Sequence, residues 1–172
     1  MLVLIIHRVD MGLLYMAESK NEQMDHSSEN LIKSKKRVRK HGEVFTPSRI
    51  VKKMLDLPAI DEACSNLTKT FFEPGAGEGA FLVEILKRKL SMVEKEYSDT
   101  LARYENYSLL ALSTLYGIEL LDDNARFCVA ALIYVYQEAY QKQLHRYKRA
   151  AKPSVVNSAQ LIISRNIVQG DF

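Results

Sequence analysis

Thr68-Lys-Thr-Phe-Phe-Glu-Pro-Gly-Ala-Gly-Glu-Gly-Ala-Phe-Leu82 decides the fold. Its first five residues form a short apolar run rich in β-formers, which predicts a strand ending at Phe72. Glu73-Pro-Gly-Ala-Gly-Glu-Gly79 follows as a glycine loop. Ala80 to Leu90 then takes a helical period, with Phe81, Leu82, Ile85, Leu86 and Leu90 on one stripe. Strand, glycine loop and helix in this order bring backbone N–H groups at a helix N-terminus close to a ligand. Glycines at 75, 77 and 79 carry no Cβ to block its approach.

Alternating glycines alone are a weak signal, and two acids sharpen it. Glu73 ends the first strand, where a cationic ammonium group can be met. A second predicted strand, Thr114-Leu-Tyr-Gly-Ile118, ends in Glu119, and an acid there accepts hydrogen bonds from ribose hydroxyls in nucleotide-binding folds. Glu73 and Glu78 bring negative charge to the loop, which disfavours a pyrophosphate and suits a cationic cofactor. No Gly-Lys-Ser/Thr follows, so a P-loop is excluded.

The flanking chain supports an alternating α/β order. Pro47 and Ser48 open a predicted helix whose stripe is Ile50, Val51, Met54, Leu55 and Leu57, and Pro58 ends it. Ser91 to Leu112 is helix-compatible. Asp122 and Asp123 cap a long helix reaching to Tyr147, with Lys142, Arg146, Lys148 and Arg149 at the end where the dipole favours cations. Pro153 breaks it, a short helical segment covers Asn157 to Ser164, and a strand covers Asn166 to Gln169. Strands alternating with helices predict a parallel sheet with right-handed crossovers.

Composition bounds the rest. The chain has 172 residues, 47% hydrophobic and 26% charged, with a formal net charge of +3, which fits about one globular domain and excludes a disordered tail, a collagen-like fibre and a polytopic membrane protein. Cys64 and Cys128 are too few for a disulfide scaffold, which points to a reducing, cytoplasmic setting, and His7, His26, His41 and His145 share no metal spacing. Met1 to Ile6 is apolar but is interrupted by His7, Arg8 and Asp10, so it is neither a membrane span nor a secretory core and reads as a short strand or tail. Ala17 to Asn30 is polar, making residues 1–32 a flexible lead-in to a domain over 33–172. Lys33-Ser-Lys-Lys-Arg-Val-Arg-Lys40 carries six cations in eight residues. It is either a solvated helix face or an arm for phosphates, and it lacks aromatic residues for base stacking.

The stretch from Phe72 to Leu82 resembles motif I of S-adenosylmethionine-dependent DNA methyltransferases. His41-Gly-Glu-Val-Phe-Thr-Pro47, followed by Ile50-Val51 and Met54-Leu55, resembles motif X, Tyr116-Gly-Ile-Glu-Leu120 motif II, and Gly170-Asp-Phe172 motif III. The order X, I, II, III resembles the γ class of adenine-specific enzymes of restriction-modification systems. The resemblance implies a Rossmann-like methyltransferase fold with a parallel sheet, binding S-adenosylmethionine and acting on DNA. It implies that Phe45, Thr46 and Pro47 line the methionine end, that Glu73 faces the methionine amino group, and that Gly75, Ala76, Gly77 and Gly79 form the close-approach loop. Glu119 would hold the ribose hydroxyls, Leu120 would pack on the adenine ring, Asp171 would accept from its amino group and Phe172 would flank it. Glu73 stands where Asp is commoner, and Gly75 and Glu78 replace residues that are usually Ala and Ser.

The same resemblance implies an absence. Motif IV, typically Asn-Pro-Pro-Tyr, carries the methyl-transfer site, and no Pro-Pro pair occurs in these residues. The chain therefore reads as the cofactor half of a larger enzyme, truncated after about the third strand, with no catalytic residue of its own and weak or no cofactor binding alone. The strand before the glycine loop would then present an unpaired apolar edge, inviting self-association. The alternative class is a non-catalytic cofactor- or DNA-binding module that pairs with a second subunit, and a small-molecule methyltransferase is disfavoured by the motif X stretch and the basic run.

Overall fold

A computed structural model describes residues 2–4 and 31–171; Met1, residues 5–30, which are most of the expected lead-in over 1–32, and Phe172 lie outside the described residues. The architecture is α/β. Four parallel strands, β1 (Leu2–Leu4), β2 (Thr70–Glu73), β3 (Leu115–Glu119) and β4 (Ile167–Gln169), lie in the order β1-β2-β3-β4. Seven helices accompany them among the described residues: α1 (Lys35–His41), α2 (Ser48–Leu55), α3 (Pro58–Cys64), α4 (Ala80–Glu96), α5 (Leu101–Ser113), α6 (Asp122–Tyr147) and α7 (Pro153–Asn166). None is long and apolar enough to cross a membrane.

The period of two along each strand separates the faces of the sheet. Phe71, Leu115 and Ile167 enter one core with Phe81, Leu82, Ile85 and Leu86 of α4 and Cys128, Leu132 and Tyr136 of α6. Tyr116 and Val168 point the other way and remain 39% and 43% exposed. Gly117 lets α4 settle on the sheet, since a Cβ there would stand 3.0 Å from Leu82 Cδ1 and 3.2 Å from both Ala76 Cβ and Ile167 Cδ1. Helices α5 and α7 pack on each other and on α6, and α5 packs on α4 as well; each runs almost directly into the next strand.

Several boundaries differ from the sequence reading. The helix from Ser48 stops at Leu55, and Pro58 opens α3, where its missing N–H and fixed φ suit the first turn. Pro153 likewise opens α7, four residues before the expected helical segment. The stretch from Ser91 to Leu112 divides at Tyr97–Thr100, where Thr100 Oγ1 accepts the Arg103 N–H at 3.2 Å and caps α5. The largest correction concerns the edge of β2. It is not left unpaired: β1, inside the segment read as a lead-in, pairs in parallel with it, Leu2 opposite Thr70 and Leu4 opposite Phe72. The sheet thus has a fourth strand from the N-terminus, and the template for self-association through that edge is removed.

Candidate functional site

At the carboxyl ends of β2 and β3 the backbone turns sharply. Past Glu73, the Ala76 N–H donates to Ile118 O at 3.0 Å and the Gly79 N–H to Ala76 O at 2.8 Å, folding the glycine loop back onto β3 before α4 begins. Gly79 has φ +89°, and a Cβ there would lie 2.6 Å from Cys128 Sγ. Both the left-handed backbone and the sulfur beneath it require glycine. Cys128 is therefore the floor of the loop, and its thiol is pushed up to about 12 by burial and by the negative charges of Glu73 and Glu119. A thiol held neutral in this way is a packing group. Glu73 is 2% exposed.

Glu119 is wired to the loop. Its Oε2 accepts the Gly77 N–H at 2.8 Å, and its Oε1 accepts the Leu121 N–H at 2.9 Å and the Asn124 side-chain amide at 3.5 Å. A carboxylate has about four lone-pair directions, so acceptor capacity remains for a hydroxyl donor. Asn124, 1% exposed in the first turn of α6, extends the network. Its Nδ2 donates to Glu43 Oε1 at 2.7 Å, and its Oδ1 accepts from Lys33 Nζ at 2.7 Å and from Arg37 at 3.3 Å.

Lys33 and Arg37 belong to a strap closed by the Phe45 N–H bonding Leu31 O at 2.8 Å. Lys33 Nζ meets Glu78 at 2.7 Å and Asp123 at 3.1 Å, and stands 4.7 Å from the Phe127 ring centroid and 5.7 Å from that of Phe45. Burial alone would lower its pKa; the bonds to Glu78 and Asp123 outweigh that and raise it. Arg37 forks onto Glu43, at 2.5 Å and 2.6 Å, and also onto Asp123 at 2.8 Å. The Arg37 hydrogen bonds hold both the Glu43 and Asp123 carboxyls below the usual range.

The expected site residues divide into three groups. Phe45, Gly75, Gly77, Glu119, Leu120 and Asp171 line one cavity of about 280 Å³. Thr46 and Ala76 line a second, of about 530 Å³, which shares Val44, Phe45, Gly75 and Gly77 with the first. Pro47, which caps α2, lines neither, and nor do Glu73 and Gly79; Phe172 lies outside the described residues. Sequence reasoning missed Lys33, Arg37, Glu43 and Asn124. No local signal sets Lys33 and Arg37 apart from the rest of the run, since Lys33 stands before α1 and the acids that the two meet include Glu78 and Asp123, far along the chain. No protein-family model, curated protein or solved structure matches the chain.

Proposed function

We propose that the chain is the S-adenosylmethionine-binding part of an adenine-specific DNA methyltransferase with a Rossmann-like fold, residues 33–172 forming the partial methyltransferase domain. One observation carries this reading: the Glu119 carboxylate, at the carboxyl end of β3, is bonded to the Gly77 N–H of the glycine loop in a cavity that also takes Phe45, Leu120 and Asp171. Ligands of open parallel α/β sheets bind at this end of the strands.

The residues fit such a cofactor. Glu119 keeps lone pairs for ribose hydroxyls, exposed Leu120 offers apolar surface to adenine, Asp171 offers an acceptor to the adenine amino group, and the Phe45 ring lies beside the glycine loop at the methionine end. Buried Glu73 and the Glu119 carboxylate supply a negative field suited to a cation. When bound, S-adenosylmethionine supplies a sulfonium-borne methyl group for transfer to the exocyclic amine of adenine. The DNA substrate is inferred from motif order, and one packing contact supports it: a Cβ on Gly77 would stand 3.7 Å from the Phe45 ring, so the motif X-like stretch lies against the motif I-like loop.

A second reading, a non-catalytic module that pairs with another subunit, is favoured by the sheet face carrying Tyr116 and Val168, because parallel sheets are normally covered on both faces.

Amide NMR tests the cofactor. The cavity beside Glu119 narrows the expectation of weak or no binding by the chain alone to weak binding. Titration with S-adenosylmethionine to millimolar concentration is expected to move the Gly77 and Leu121 amide resonances, and Glu119→Ala to weaken binding about tenfold or more, or ~1.4 kcal/mol. Unmoved resonances, or an affinity indifferent to Glu119→Ala, would overturn the assignment.

A further inference from the structure

The six cations of the basic run are not equivalent. Lys33 and Arg37 turn inward onto Glu43, Glu78 and Asp123. Lys35, Lys36, Arg39 and Lys40 are exposed and pair with no acid among the described residues. Their spacing, i, i+1, i+4 and i+5, gathers four positive charges on one side of α1.

Local propensity does not account for this arrangement. A helix of seven residues is marginal by itself, like charges four apart repel, and the first turn holds no acid to complement the dipole. The helix is instead held from within. Ser34 Oγ accepts the Arg37 N–H at 3.2 Å, the Gly42 N–H caps onto Val38 O at 2.9 Å, and the Arg37 fork fixes the inner side. The same ion pairs offset two of the three negative charges nearest the strap, weakening the repulsion that an anion would meet. The outward face has no aromatic side chain, so it suits a phosphate backbone and not stacked single-strand bases.

We infer that Lys35, Lys36, Arg39 and Lys40 form a contact surface for the phosphate backbone of duplex DNA, held beside the glycine loop by Lys33 and Arg37. The choice of duplex DNA rests on the methyltransferase reading; the surface itself rests on the partition of charge.

The test is fluorescence anisotropy of a labelled duplex with the full chain across a salt series, comparing the native protein with the quadruple variant Lys35→Ala, Lys36→Ala, Arg39→Ala, Lys40→Ala. The slope of log affinity against log salt should fall by up to about 3.6. The native protein's advantage should then be about 100-fold larger at ~50 mM than at ~200 mM salt. Lys36→Gln alone should remove about 0.9 from the slope. Equal slopes, no duplex binding by the native chain at low salt, or binding only to phosphatidylserine vesicles would overturn the surface. The amide titration with S-adenosylmethionine on the same variants separates the two ideas. Cofactor shifts with equal slopes leave the cofactor reading standing and remove the surface. A fallen slope without shifts in either protein supports the surface and removes the methyltransferase reading.

Discussion

Lys89 and Lys33 sit at opposite ends of the parallel sheet and are solvated in different ways. Lys89 is fully buried at the amino end of β2, where its Nζ donates to Asn66 O at 2.7 Å and Lys69 O at 3.0 Å, with the Phe71 ring centroid 5.3 Å away. Lys33 is at the carboxyl end, against Glu78, Asp123, Asn124 and two aromatic rings. Carbonyls are fixed by the backbone that carries them, whereas carboxylates can exchange one cation for another. Arg88 combines the two styles at the far end, bonding Leu55 O at 3.0 Å as well as Asp61 at 2.9 Å and Asp56 at 2.6 Å, so that one side chain fastens α4 to the end of α2 and to α3. The amino end is frame; the carboxyl end is a network whose charges can be redistributed.

Removing Lys89 is the severest way to break this comparison. Lys89→Ala deletes a fully buried stem and two hydrogen bonds, and should cost about 3 kcal/mol in urea denaturation, as large-to-small core substitutions do. The Gly77 and Leu121 amides should still respond to cofactor. A loss below about 1 kcal/mol would show that the far end is not the frame described.

The two ends should also respond to opposite ends of the pH scale. Burial lowers the Lys89 pKa to about 8 from an ordinary 10.5. Between those values the unfolded chain holds a proton that the folded chain has released, so stability rises with pH. The neutral amine still carries two N–H donors for the two carbonyls. Relative to Lys89→Met, the native chain should gain about 1 kcal/mol per pH unit above pH 8, measured by urea denaturation. Glu43 gives the same sign of slope, but in the acid range instead of the alkaline one. Its lowered pKa makes its contribution present above the ordinary 4.5 and lost as the pH falls through the folded value, so the strap should loosen in acid while the frame holds.

How far each end was legible follows from where its determinants lie. The strand, glycine loop and helix from Thr70 to Glu96 could be read from sequence because their signals are local: an apolar period, glycines and an acid at each strand end. Pro58 and Pro153 were misread because proline ends one helix and starts another with equal ease, and only the following residues decide which. β1 was read only as a strand or tail, since three residues gain their pairing from β2, far along the chain. The basic run looked uniform for the same reason. Which of its cations turn inward depends on Asp123, 90 residues beyond Lys33 and 86 beyond Arg37, and on Glu43, whose role is invisible until Asn124 is placed beside it.

The smallest expected effect sharpens the comparison most. Arg37→Met keeps an unbranched side chain at the position and removes the fork onto Glu43 and Asp123. The pairs it breaks are partly exposed, so the thermal midpoint should stay within about 2 °C. The local consequence should be larger than the global one, because the strap is closed by the Phe45 N–H bond to Leu31 O, and few other backbone bonds tie it down. Hydrogen exchange at the Phe45 amide should quicken about tenfold, with exchange at the core amides of β2 and β3 unchanged. Addition of salt to the native protein should move the Phe45 amide in the same direction, since the ion pairs being screened are the ones the substitution removes. If Phe45 exchanges no faster in Arg37→Met, the strap is held by its backbone alone, and the carboxyl end is as fixed a frame as the amino end.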